Sequence, residues 1–308
     1  MKCVLGVDGG GTKTECVVLN EAGTVLARGK GPASNPTRIG FQAALAALEE
    51  TTRSAIHSTR ISVEVAAVCA GLAGTGRPEN RHQMLQFFKE HFPDALVDVR
   101  MDMELPLSAM PEGPAIVLII GTGSAAIGRG IDGLVKREGG FGPANSDEGS
   151  AFDIGRAALA ASRSADPSPE SDELARQILR HLGFSNWAEV DSKSAVSADA
   201  VYPRVFPVVV AAADRGNALA ELLLNSAAER LAALARHLAD SLNLTEQKFP
   251  LGKMGGTVGR SRFFDSAIDR ELRRNFPHAI ISSLSIEPAE VAAWIALQLL
   301  KNGERVAP

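Results

Sequence analysis

The chain has 308 residues, a length that suits two domains. Its 32 Lys and Arg residues against 36 Asp and Glu leave a formal net charge of −4 spread along the sequence, which excludes a basic nucleic-acid footprint or a polybasic membrane anchor as its main theme. Apolar residues make up 45% and aromatics only 5%, so disorder is excluded and the core must be built from Ala, Leu, Val and Ile. In chain order, Lys2–Val7 is a short apolar strand ending at Asp8 and the glycines Gly9, Gly10 and Gly11. Thr14–Leu19 and Thr24–Arg28 read as two further strands, followed by a loop holding Pro32, Asn35 and Pro36. Ile39–Ile56, rich in Ala, Leu and Glu, reads as an amphipathic helix. Next come a strand (Val63–Cys69), a loop with Gly71, Gly74 and Gly76, a helix (Glu79–His91), a strand (Ala95–Val99) and a short helical stretch (Leu105–Met110).

That order then recurs. Ala115–Ile120 is a buried strand ending in Gly121-Thr122-Gly123-Ser124, and Ala125–Arg129 and Leu134–Arg137 continue the hairpin pattern. A helical block rich in Ala and Leu runs from Glu148 to Leu244, interrupted near Pro167 and Pro169. Phe249–Met254 is a strand ending at Gly255-Gly256, Arg260–Asn275 a helix, Ala279–Ser283 a last strand and Pro288–Lys301 a last helix. The second half therefore has the element order of the first with a helical insertion, although the residues themselves do not visibly repeat.

Three scattered cysteines, Cys3, Cys16 and Cys69, form no paired or metal-binding pattern and read as buried thiols in a reducing compartment. The six histidines lie apart with no ligand spacing. No signal-peptide segment precedes Asp8, and the most apolar later runs, Ala115–Ile120 and Val205–Ala213, fall far short of the roughly 20 residues that span a bilayer. The expectation is a cytoplasmic globular protein.

Gly-rich turns are commonly simple hairpin punctuation, since glycine accepts positive φ freely. Here each turn also carries hydroxyl residues, and the first adds Asp8 at a strand end and Lys13 just beyond. Glycine lets backbone N–H groups approach a polyphosphate, a carboxylate can hold Mg²⁺, and a lysine offsets phosphate charge. The segments GVDGGGTKT (6–14), GLAGTGRPE (71–79), IGTGS (120–124), GGFGPANSDEGSAFDIG (139–155) and MGGTVGR (254–260) together resemble the BadF/BadG/BcrA/BcrD ATPase family, and within it the N-acetylglucosamine kinase branch. The resemblance covers essentially the whole chain.

What the resemblance implies is an α/β protein with the actin/hexokinase/Hsp70 fold: two RNase H-like domains with ATP in the cleft between them. The first would span residues 1–112, completed by the C-terminal helix 288–308, and the second residues 113–287 with a helical insertion at about 148–244. Asp8 would organise Mg²⁺; Gly10, Gly11, Thr12 and Lys13 would form one phosphate loop and Gly121, Thr122, Gly123 and Ser124 the other. Gly255 and Gly256 would contact adenosine. Asp102 matches the catalytic carboxylate, and Asn35, Gly140, Phe141 and Asp147 match positions around the sugar. A carboxylate there would orient the sugar hydroxyl and take its proton late, since phosphoryl transfer is mainly positioning and charge neutralisation.

Plainer roles stay open for several of these residues. Asp102 could cap the Glu104–Met110 helix, Asp147 the helix from Glu148, Asn35 could serve its turn, and Phe141 could be core. Where the family has Gly before the acidic residue of its sugar motif, this chain has Ser146, preceded by Asn145. The expected activity is ATP- and Mg²⁺-dependent phosphorylation of N-acetylglucosamine at the 6-hydroxyl. The alternatives are glucosamine, N-acetylmuramic acid or another hexose as acceptor, or a non-catalytic ATP- and sugar-binding or ATPase-activator protein. The activator relatives hold an iron–sulfur cluster by cysteines after the second phosphate loop, and no cysteine follows Cys69. A sugar-responsive repressor would need a DNA-binding segment before the first strand, where only Met1 stands. The expected partners are a small sugar and a second copy in a homodimer, with neither nucleic acid nor membrane.

Overall fold

The alternation Cys3, Leu5, Val7 against Val4 and Gly6 puts the first strand in the middle of a sheet covered on both faces, and the computed structural model shows how. It describes residues 1–142, 146–163 and 168–306; Asn145 and Pro167, singled out above, lie outside the described residues. The chain divides into two compact units, Met1–Ala109 with Ile286–Pro308, and Met110–Ser285.

The first unit carries β1 (Lys2–Gly9), β2 (Lys13–Asn20), β3 (Val25–Pro32), α1 (Pro36–Ile39), α2 (Phe41–Ser58), β4 (Glu64–Leu72), α3 (Pro78–His91), β5 (Leu96–Arg100) and α4 (Glu104–Ser108). Its sheet runs β3-β2-β1-β4-β5, with β1–β2 and β2–β3 antiparallel and β1–β4 and β4–β5 parallel. On one face Cys3, Leu5 and Val7 pack with Leu48, Met84 and Phe88 from α2 and α3. On the other, Val4, Val17 and Cys69 meet Ala292, Ala293 and Ala296 of the C-terminal helix (Pro288–Val306), which thus belongs to this unit. Gly6 is what lets that helix approach. A Cβ there would lie 2.0 Å from the Ala293 backbone N and 2.2 Å from the Ala289 carbonyl oxygen.

Two local expectations change. The Ile39–Ile56 helix starts earlier and is interrupted: Asn35 caps the four-residue α1, which stops at Gly40, and α2 begins afresh at Phe41. Gly71, read as a loop residue, lies inside β4, paired with Asp8 of β1 and Arg100 of β5, and Leu105 of α4 fills the space its missing Cβ leaves.

The second unit repeats the plan with β6 (Ala115–Ile120), β7 (Ser124–Arg129) and β8 (Val135–Gly139), then α5 (Ala151–Ala161), α6 (Pro169–Leu182), α7 (Trp187–Val196), α8 (Ala198–Val201), α9 (Phe206–Ala213) and α10 (Ala218–Ser241). There follow β9 (Pro250–Met254), α11 (Arg262–Asn275) and β10 (Ile280–Ser283), and the C-terminal helix of the first unit is α12. The sheet order β8-β7-β6-β9-β10 matches β3-β2-β1-β4-β5 strand for strand, including the antiparallel hairpins and the parallel crossover. Ile116, Leu118 and Ile120 share one core with Ala227, Leu231, Ala235 and Leu238 of α10 and with the aromatic pair Phe249–Phe276.

Candidate active site

In the first unit the strand ends are tied together around the β1–β2 turn. Gly10 N–H donates to the Lys13 carbonyl at 2.9 Å, and Ser34 N–H donates to the Gly10 carbonyl at 3.0 Å. The buried Thr14 hydroxyl donates to the Pro32 carbonyl at 2.7 Å and reaches the Ser34 hydroxyl at 2.8 Å. Ala73 N–H closes on the Gly9 carbonyl at 2.7 Å. The turn is therefore held from both neighbouring strands before any ligand arrives.

Asp8 sits at the C-terminal end of β1, level with Gly71 of β4, which is in turn level with Arg100 of β5. Asp102 follows two residues beyond that row. Burial first, then the negative charges of Asp102 and Glu15, push the Asp8 carboxyl up to about 7, with Lys13 opposing weakly. The two carboxyls thus sense each other. Asp102 does not cap α4, whose cap position is Met103. Its Oδ1 accepts the Met103 N–H at 3.0 Å, while Glu104 Oε2 accepts the Met101 N–H at 2.9 Å and holds the turn.

Asn35 uses its Oδ1 to accept from Thr37 N–H at 3.0 Å and from the Thr37 hydroxyl at 2.7 Å, which starts α1. Thr12 is exposed. Lys13 is turned along β2 to Glu15, 2.8 Å away, and Lys30 joins the same carboxylate at 3.2 Å. A residue that the sequence did not single out also lies against the turn. The Arg38 side chain crosses Gly11, with a guanidinium nitrogen 3.0 Å from where a Gly11 Cβ would stand.

In the second unit the Gly121–Ser124 turn is anchored at several points. Ala151 and Phe152 N–H groups at the start of α5 donate to the Gly121 and Thr122 carbonyls at 3.0 and 3.1 Å. The buried Thr257 hydroxyl donates to the Ile120 carbonyl at 2.7 Å. Asp147 does not cap the following helix; Ser150 does, accepting from Asp153 N–H at 3.2 Å. The Asp147 carboxylate instead accepts the Ser124 N–H at 3.0 Å, with its backbone at φ +83°. Burial raises its pKa, and the Ser124 N–H works the other way. A Cβ at Gly123 would come 2.5 Å from Asp147 Oδ1, so only glycine there admits the carboxylate.

Asp153 holds this segment in place. Burial would raise its pKa, but Gly149 N–H and the guanidiniums of Arg156 and Arg230 outweigh that and keep it below the usual range. Gly140 N–H donates to the Ser124 carbonyl at 3.0 Å. Phe141 is 54% exposed, with the Arg137 guanidinium 4.5 Å from its ring centroid. Ser146, the departure from the family motif, accepts the Phe141 N–H on its hydroxyl at 2.8 Å. Gly255, at φ +115°, brings its backbone against Ile120, whose carbonyl oxygen would lie 2.2 Å from a Cβ. Gly256 beside it is exposed, and Arg260 Nε donates to its carbonyl at 3.3 Å.

Elsewhere, burial pushes the thiols of Cys3 to about 11 and of Cys16 and Cys69 to about 12, which leaves them unreactive at neutral pH. Among the described residues no three His, Cys, Asp or Glu side chains group to hold a metal, and no helix is long and apolar enough to cross a membrane.

Residues 5–296 match the family model of the BadF/BadG/BcrA/BcrD ATPase family. The chain is 28% identical over 316 residues to an N-acetyl-D-glucosamine kinase of Dictyostelium discoideum, covering 96% of this chain and 98% of that protein. It is 28% identical over 303 residues to an N-acetylmuramic acid/N-acetylglucosamine kinase of Clostridium acetobutylicum, again covering 96% and 98%. A solved structure from Chromobacterium violaceum, provisionally named an N-acetylglucosamine kinase, matches with a TM-score of 0.74 at 25% identity, over 97% of this chain and 99% of that one.

Proposed function

The chain belongs to the BadF/BadG/BcrA/BcrD ATPase family, and from that premise we propose that it transfers the γ-phosphoryl group of ATP to the 6-hydroxyl of an amino sugar, N-acetylglucosamine first. The observation that carries the reading is the pair of carboxyls, Asp8 and Asp102, at one end of the first sheet, close enough for Asp102 to raise the pKa of Asp8.

Two mutually repelling carboxyls fit a hard divalent cation, and Mg²⁺ usually takes only one or two protein carboxylates beside phosphates and water. Asp8 would hold it, and when bound it neutralises charge on the phosphates. Asp102 accepts the proton of the sugar hydroxyl late in transfer, as a positioned base. Backbone N–H groups of Gly11 and Thr12 in one turn and of Thr122 and Gly123 in the other would bind phosphate oxygens, since Gly10, Gly121 and Ser124 donate theirs within the protein. Asp147, pinned to the second turn by the Ser124 N–H, sets the shape of that turn, and Phe141 would meet the sugar. Asn35, in the first unit, would offer its amide to the sugar, and Gly255 and Gly256 would receive adenosine against bare backbone.

The test is turnover of purified protein with ATP, Mg²⁺ and a panel of N-acetylglucosamine, glucosamine, N-acetylmuramic acid and plain hexoses. The expected result is ADP release that depends on an amino sugar and yields a sugar 6-phosphate. ATP hydrolysis indifferent to every sugar would overturn the reading. N-acetylmuramic acid is the second acceptor to try, because one relative is named for both sugars.

A further inference from the structure

The first phosphate turn carries its own lysine, whose ammonium is paired with Glu15. Residues 13 and 15 lie on one face of β2, so Lys13 is delivered to Glu15 at 2.8 Å, and Lys30 on the paired strand reaches the same carboxylate. Asp102 and Glu15 bring their negative charge to bear on Asp8 at this end of the unit, with Lys13 opposing. A polyphosphate brought here needs a cation placed over the turn itself.

Arg38 is so placed. It lies in the last turn of α1, whose start is fixed by Asn35 and Pro36, and its Cδ and guanidinium nitrogen lie 3.2 and 3.0 Å from the position of a Gly11 Cβ. The contact exists because Gly11 has no side chain. A guanidinium is planar, always charged and matched to two phosphate oxygens at once, which a lysine ammonium is not. α1 joins this arginine to Asn35 at the proposed sugar site, so one short helix presents an amide and a phosphate-directed cation three residues apart.

We propose that Arg38 is a phosphate ligand of the first turn, gripping phosphoryl oxygens over Gly11 and offsetting their charge during transfer, the part that Lys13 would otherwise take. The assignment rests on the kinase reading above.

The test uses Arg38→Ala and Arg38→Lys in the full chain, checked for unchanged far-UV circular dichroism and melting temperature. Steady-state kinetics are run with a saturating amino sugar, and affinity for a fluorescent ATP analogue is measured without sugar. Arg38→Ala is expected to lower kcat by about 10²–10³ and to weaken nucleotide binding at least severalfold. Arg38→Lys should recover part of the binding but little of kcat, and added guanidinium ion should restore part of the rate of Arg38→Ala, which a merely structural role would not allow. Lys13→Met should cost at least tenfold less in kcat than Arg38→Ala. If wild type phosphorylates the sugar while Arg38→Ala keeps kcat and nucleotide affinity within twofold, the assignment is overturned and the kinase reading stands. If no sugar is phosphorylated but nucleotide affinity still falls in Arg38→Ala, the kinase reading and the role in transfer fail, and only the grip on the nucleotide phosphates stands. A loss confined to KM for N-acetylmuramic acid would mean that the guanidinium reads a sugar carboxylate, and would overturn the phosphate assignment. Wild type that binds no nucleotide would overturn both.

Discussion

A carboxyl raised to about 7 by burial and by Asp102 weakens the fold whenever it is charged. Between roughly pH 4 and pH 7 the folded chain keeps a proton on Asp8 that the unfolded chain has released, so this contribution to stability falls as pH rises through that window. Asp8→Asn removes the charge. In thermal unfolding without ligand, the variant should melt higher than wild type at pH 8.5, with the gap narrowing at pH 5.5. If Asp8 holds the cation as proposed, its sugar-dependent turnover should nevertheless fall about a hundredfold or more, because that cation would lose its carboxylate. A gap that widens at low pH would refute the placement of Asp8. On the proposed roles, Asp102 and Phe141 would divide differently between rate and binding. Asp102→Asn keeps volume and one oxygen but no basicity, so the loss should sit in kcat, on the order of 10²–10⁴. Phe141, 54% exposed and backed by Arg137, would offer a ring that serves ground and transition states alike. Phe141→Ala should therefore raise KM for the sugar and leave KM for ATP nearly unchanged; the reverse pattern in steady-state kinetics would show the two roles exchanged.

Elements enter function here through the backbone contacts that seat them. α12 lies on β1 over Gly6, where a Cβ would strike the backbone of Ala289 and Ala293 rather than a side chain that could swing aside. Gly6→Ala should therefore force α12 outward and destabilise the first unit by about 1–3 kcal/mol, visible as a lower urea midpoint; an unchanged midpoint would mean that α12 is not seated there. The strands and their order were legible because their signals are local. Cys3, Leu5 and Val7 alternate with Val4, β-branched runs end at glycines, and the element order repeats. What the sequence hid depends on partners far along the chain. Gly71 looks like loop until Leu105 is seen against it, and Asp147 looks like a helix cap until Ser124, twenty-three residues earlier, is found to donate to it. Arg38 carries no motif, and its place over Gly11 appears only once α1 forms. Even the break at Gly40 competes with an Ala- and Leu-rich stretch that reads as one helix.

The two units share a strand order but differ in how the chain builds them. The second is one continuous stretch, Met110–Ser285, whereas the first needs Met1–Ala109 and the segment from Ile286 onward. Without α12, the face of Val4, Val17, Leu19, Ala67, Cys69 and Leu105 would stand open to water, an apolar surface that a unit of this size cannot leave uncovered. The second unit has no such debt, since its sheet, its helices and its aromatic pairs Phe206–Phe264 and Phe249–Phe276 all lie within one stretch. The tryptophans report the units separately: Trp187 lies on α7 of the second and Trp294 on α12 of the first, its ring packed on Gly23. A fragment of residues 110–285 is therefore expected to fold alone and show a cooperative urea transition in Trp187 fluorescence. A fragment of residues 1–109 should bind a hydrophobic dye and lack a cooperative transition by circular dichroism. Joining residues 286–306 to it through a flexible linker of about a dozen residues should restore the transition, now followed by Trp294. If residues 1–109 fold cooperatively without the C-terminal segment, α12 is an accessory to the first unit rather than a part of its core.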